Sequence, residues 1–335
     1  MTDGSASPGR FGDGRLLIVA FEGWNDAGDA ASGAVGLLRD SLGLVALHEL
    51  DPEQYFDYQF TRPVVFTDDD GRRRLRWPTA TLSGPAADDA DMLPPSVVPE
   101  HEPAPLPLAD VLAEGGPGEG APAVPPLKRV DNIFVMLGSE PSRSWKNFAA
   151  EILDKALVHD ITGIVVLGSM LADVPHTRPI SVFASSESAE LRQEFGLERS
   201  TYEGPVGILS VIADVADVVG IPTVSVWASV PHYVHNAPSP KATLALIEKL
   251  EEITGIPIPR GDLEDEASAW ESGIDALAGE DEDMAAYIEQ LEQARDTVDS
   301  PEASGEAIAQ EFERYLRRRG DGRDGYADGR DPGPR

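Results

Sequence analysis

A chain of 335 residues with 59 Asp and Glu against 27 Lys and Arg carries a formal net charge of -32. The field around it repels polyanions, which excludes nucleic acid and anionic membrane as partners. The sequence has no Cys, which removes disulfides, thiolate nucleophiles and thiolate metal sites, and its length suits one large α/β domain with a smaller appendage.

Residues 1–14 are polar and Gly-rich and read as a disordered tail. The apolar run that follows is too short for a signal sequence or a membrane span, so a cytoplasmic protein is expected. Leu16 to Phe21 reads as a buried strand leading through Glu22-Gly23-Trp24-Asn25-Asp26 into a helix of small residues, among them Ala30, Gly33 and Ala34. Many α/β proteins hold a phosphate with such a strand, loop and helix. Here the G-x-G-x-x-G spacing and the Gly-Lys-Ser/Thr entry are both missing, and Glu22, Asp26 and Asp29 would repel a phosphate. No cofactor is expected. Asn25 or Asp26 reads as an N-cap; alternatively, Glu22 and Asp26 orient a cation or polar ligand, and Trp24 lines a pocket.

Residues 54–77, with Tyr55, Tyr58 and Phe60 alternating with polar positions and Asp69-Asp70-Gly71 at a turn, predict a projecting antiparallel hairpin. Residues 78–128 read as a Pro-rich insertion. Further strands are expected at Asn132–Leu137, Gly163–Gly168 and Thr223–Trp227, and amphipathic helices at Trp145–His159 and Val206–Val219. Ser239-Pro240 starts a helix over Lys241–Ile253 that Thr254-Gly255 stops. The alternation predicts a three-layer α/β/α sandwich with a largely parallel central sheet over residues 15–260. Residues 261–319 then read as helix alone, through Ala267, Trp270, Ile274 and Leu277, then Met284, Tyr287, Ile288 and Leu291, then Ile308, Phe312, Tyr315 and Leu316. Residues 320–335 form a second disordered tail.

Ligands of open α/β sheets bind at the carboxyl ends of the strands. The loops expected there carry Glu22, Trp24, Asn25, Asp26, Ser139, Glu140, Ser169, His176, Arg178, His232 and Tyr233, which are the candidate ligand-binding residues. Two His with Glu140 would suit zinc, but His232-x-x-His235 in a loop is an unspecific spacing, and no metal is expected. Ser139, Ser169 and Ser229 lack the G-x-S-x-G context of a nucleophile elbow. Arg178 is placed either to hold an anionic group or to form a structural ion pair. Three functions follow: a binding or assembly protein without turnover; a hydrolase or phosphorylase type of enzyme in which His176 or His232 moves a proton, a carboxylate orients it and Arg178 holds an anion; or a scaffold that works through its hairpin and acidic surface alone.

Phe21-Glu22-Gly23-Trp24-Asn25-Asp26-Ala27-Gly28, Asp57-Tyr58 with Arg62-Pro63, Leu137-Gly138-Ser139-Glu140-Pro141, Pro175-His176-Thr177-Arg178-Pro179, Ser225 to Tyr233 and Ser239-Pro240-Lys241-Ala242 together resemble the bacterial branch of the proteasome assembly chaperone 2 family, over about residues 16–256. The resemblance implies a core similar to purine nucleoside phosphorylases and peptidyl-tRNA hydrolases, a C-terminal helical lid over a ligand cleft, and a homo-oligomer, a trimer, that uses the hairpin at 54–77. Archaeal relatives contact the proteasome through a hydrophobic-Tyr-x tail. This sequence ends Asp331-Pro332-Gly333-Pro334-Arg335, which speaks against proteasome contact by that route.

Overall fold

A computed structural model describes residues 11–68, 70–86 and 132–298. Among these residues nine strands and eight α-helices follow in chain order: β1 Leu16–Glu22, α1 Ala30–Ser41, β2 Val45–Glu49, α2 Pro52–Tyr55, β3 Val64–Thr67, β4 Arg73–Arg76, β5 Ala80–Gly84, β6 Ile133–Ser139, α3 Trp145–Val158, β7 Gly163–Ala172, β8 Val182–Ser185, α4 Ala189–Phe195, α5 Ile208–Val219, β9 Thr223–Pro231, α6 Pro240–Thr254, α7 Leu263–Glu280 and α8 Glu282–Val298.

Seven strands form the main sheet in the order β2-β5-β6-β1-β7-β9-β8. β6, β1, β7 and β9 run parallel to their neighbours in this set, and the remaining strands join antiparallel. The apolar run of β1 explains the layering, because successive side chains leave a strand on opposite faces. Leu16, Ile18 and Ala20 enter one core with Ala34 of α1 and Leu246 of α6, and Leu17, Val19 and Phe21 enter the other with Phe148 of α3 and Ile212 of α5. Both faces are therefore dry, and the chain is a three-layer α/β/α sandwich. β1 lies between β6 and β7, so the loops leaving β1 and β6 meet at its carboxyl end.

Several expectations shift. The hairpin is shorter than 54–77: Asp51 accepts from Glu53 N and Pro52 occupies the first turn, so residues 52–55 are helical. A cap with a prolyl start outweighs the aromatic alternation there. β3 and β4 pair Val64 with Arg76 and Val65 with Leu75, while Asp69 of the turn lies outside the described residues. The insertion does not begin at 78, since β5 pairs with β2 and β6 inside the sheet. Strands of only four or five residues give little periodic signal, which is why β2, β5 and β8 escape a pattern reading. Phe11 is not tail; it is buried, stacks edge-on against Phe195 and donates its N–H to Glu194. Leu277 of α7, expected on a packed face, is exposed, as is Leu157 of α3, and Ala278 and Leu153 are buried. Ser239 stands at the N-cap of α6, yet its hydroxyl is buried without a partner, and its carbonyl receives Ala242 N and Thr243 N.

α7 packs along α6 through Leu263, Ala267, Ile274 and Ala278. The third helix expected around Ile308 to Leu316, the remainder of the Pro-rich insertion from residue 87, residues 1–10 and the tail at 320–335 lie outside the described residues. No helix among the described residues is long and apolar enough to cross a membrane.

Candidate functional site

The candidate residues fall into three groups. The first lies where β1 and β6 end. Gly23 turns the chain at φ 115°, a conformation open mainly to glycine. Asn25 then points inward and donates its amide to Glu140 Oε1 at 2.8 Å. The same oxygen accepts Ile208 N at 3.0 Å, placing a carboxylate on an orphan donor at the start of α5. Gly207 makes room for this contact: a Cβ there would stand 2.3 Å from the Asn25 amide. Ser139 donates its hydroxyl to Glu22 Oε2 at 3.1 Å.

The second group is Asp26 with Ser169. Asp26 Oδ1 accepts Ala31 N at 2.8 Å and Ser32 N at 3.1 Å. It therefore caps α1 across an intervening 3-10 turn, although the N-cap position itself belongs to Asp29. Ser169 donates its hydroxyl to Ala27 O at 2.8 Å. Asp26 Oδ2 is buried without a partner, as is Asn25 Oδ1. Burial pushes the Asp26 carboxyl up to about 6, against the downward pull of its bonds from Ser32 and Ala31. Asp26 and Trp24, a residue 41 % exposed, line a cavity of about 340 Å³ with Met170, His235 and Asn236. Glu22, Ser139 and Glu140 line a separate recess of about 490 Å³ with Phe60 and Thr61.

The third group lies under the C-terminal helices. His176 is 0 % exposed. Tyr233 Oη accepts the His176 backbone N–H at 2.7 Å and hydrogen-bonds Nδ1 at 2.9 Å. Nε2 donates to Asp275 Oδ1 of α7 at 3.0 Å, since a carboxylate only accepts. Desolvation pushes the Tyr233 phenol up to about 12. Lys241 donates to the His176 carbonyl and to Glu271 of α7. Arg178 grips both oxygens of Asp296 at 2.8 Å and lies 3.3 Å from Glu292, both on α8; the Asp296 bonds hold its guanidinium above the ordinary range. Thr177 also donates to Glu292. His232 Nδ1 stands 3.3 Å from Asp173 Oδ1 without hydrogen-bonding geometry, and its ring meets Tyr233 and Tyr287 edge-on.

Trp24, Glu140 and His176 thus do not share one depression: the first two line different cavities and the third is sealed. Arg178 takes the ion-pair alternative. His235 Nδ1 bonds the His232 carbonyl at 2.8 Å, and among the described residues no group of three His, Asp or Glu is disposed to hold a metal. The acidic partners Glu271, Asp275, Glu292 and Asp296 escape a sequence reading because they lie on the solvent-facing positions of helices, where an acidic chain has many equivalents.

The sequence model of the PAC2 family matches residues 20–278. A PAC2 family protein of Streptomyces avermitilis is 36% identical, covering 82% of this chain and 99% of that one, with a TM-score of 0.63. A proteasome-assembly chaperone homologue of Mycobacterium tuberculosis is also 36% identical with the same coverage and a TM-score of 0.62. A second mycobacterial protein, of unknown function, shares the fold at 22% identity, with a TM-score of 0.68 over 94% of this chain and 92% of that one. No curated protein matches the sequence.

Proposed function

Because the chain belongs to the PAC2 family, we propose that it is a cytoplasmic homo-oligomeric binding protein, a trimer joined through the β3–β4 hairpin, that engages a protein partner and turns over no substrate. The observation that carries this reading is the outward face of the hairpin. Val65 and Leu75 pair across the two strands, so they share one face, and they are 47 % and 53 % exposed. Apolar pairs on a projecting two-stranded ribbon are a ready surface for a second copy. The mycobacterial relative named a proteasome-assembly chaperone homologue makes a proteasome the first protein partner to try. The turn bearing Trp24 and Asp26 and the turns bearing Glu22, Ser139 and Glu140 line two neighbouring recesses that are open to a partner, and α7 and α8 act as a lid over the His176, Arg178, His232 and Tyr233 side.

The hydrolase or phosphorylase reading loses its best proton carrier, since both ring nitrogens of His176 are engaged and the side chain has no exposure. Its anion holder is likewise occupied by Asp296 and Glu292. Light scattering of the purified chain tests the proposal. The expected mass is a multiple of 35.8 kDa that falls to that of one chain in Val65→Asp with Leu75→Asp; a wild-type protein that stays a single chain at all concentrations overturns it.

A further inference from the structure

The geometry points to a binding site for a small organic oxyanion, a carboxylate or phosphate monoester, in the groove between the hairpin and the β2-β5-β6 side of the sheet. This cavity of about 510 Å³ is of the size that takes small molecules, and it lies on the face of the hairpin opposite Val65 and Leu75, because Val64 and its partner Arg76 both line it.

Its charge sets it apart. The whole chain has about two acidic residues per basic one, yet the groove gathers Arg39, Arg62 and Arg76 against Glu22 and Asp40. Arg39 is tied to Asp40 at 2.7 Å. Arg62 and Arg76 make no ion pair among the described residues, and the Arg76 Nε is buried with no acceptor. A buried Nε–H without an acceptor costs stability unless something supplies an oxygen, and a carboxylate or phosphate fits the guanidinium fork with two parallel bonds. The Phe66 ring stands 5.2 Å from the Arg76 guanidinium carbon, which steadies the cation by its π face without using its N–H groups.

The rest of the lining suits a ligand with a body as well as a charge. Trp77 offers a flat ring braced edge-on by Tyr58 at 4.8 Å, Leu44, Ala46 and Leu137 form an apolar floor, and Thr81 and Ser83 add hydroxyl-bearing side chains to the lining. Glu22 lines both this groove and the neighbouring recess. Its charge works against a long polyanion, so a small anion is the better fit.

The test is calorimetric titration of the full chain with inorganic phosphate, citrate and adenosine monophosphate, repeated on Arg62→Gln and Arg76→Gln. The expected result is saturable binding of at least one of the three, weakened about tenfold or more in each variant, as loss of a charge-assisted bond implies. Trp77→Ala then separates the sources of affinity: a loss confined to the nucleotide identifies a ring-stacked phosphate ester, and an equal loss for citrate identifies a carboxylate lying on the same wall. No saturable binding of any probe, or binding unchanged by both arginine substitutions, overturns the proposal. Arg62 is exposed in a loop, so Arg62→Gln leaves the fold intact and keeps the test open if Arg76→Gln fails to fold. The mass by light scattering is read on the same samples, so a failure of the site and a failure of the trimer are distinguished.

Discussion

At the β7–β9 end of the sheet Arg178 donates to both oxygens of Asp296 while Lys241 and His176 meet Glu271 and Asp275. At the β2–β5–β6 end Arg62 and Arg76 meet no carboxylate among the described residues. Both rims carry cationic side chains, and what differs is the presence of α7 and α8, whose acidic faces satisfy one rim and leave the other open. Charge that is already answered belongs to the fold, and charge left unanswered beside a cavity is available to a ligand.

The largest effect that would sharpen this contrast is on stability. Replacing His176 by Ala deletes a buried ring and strands Tyr233, with an expected loss of about 3 kcal/mol in urea unfolding, whereas Arg62→Gln is expected to stay within about 0.5 kcal/mol. Similar losses in both would erase the distinction between a sealed and an open rim. Asp26→Asn comes next. The Asp26 carboxyl titrates near 6 when folded against 3.8 for the free side chain, so the folded state holds its proton more tightly. Its contribution to stability is intact below about pH 4 and is lost as pH rises through 6. The variant is therefore expected to gain on the wild type across that window by about 3 kcal/mol at most; a pH-independent difference would contradict the burial argument.

Smaller still is the response of the helix latch. Arg178→Ala is expected to raise protease cleavage within residues 263–298, and added salt should do the same in the wild type, because these pairs are partly solvated. Unchanged cleavage in both cases would mean that α7 and α8 are held by apolar packing alone. Least of all in stability is Val65→Asp, expected to shift unfolding by no more than about 0.5 kcal/mol while abolishing self-association.

Strands with long apolar runs were legible at once: Leu16 to Phe21 and Gly163 to Gly168 need no partner to declare burial, since each residue contributes its own preference. Ser239-Pro240 likewise announced α6, although the hydroxyl does not perform the cap. β2, β5 and β8 were hidden, as strands this short owe their state to neighbours. The site was legible as a set of turns but not as a grouping. That His176 is interior while Trp24 reaches solvent depends on where α7 falls, and no local signal reports it.

Sequence alone determined the alternation of strands and helices, the acidity and the absence of thiol chemistry, because composition and periodicity are properties of short stretches. Only the tertiary structure decided which cations are answered: Arg178 and Asp296 are 118 residues apart in the chain, and Val64 and Arg76 acquire a common groove only when the hairpin folds back beside the sheet. Pairings at that separation are fixed by the packing of whole elements, which no window of sequence contains.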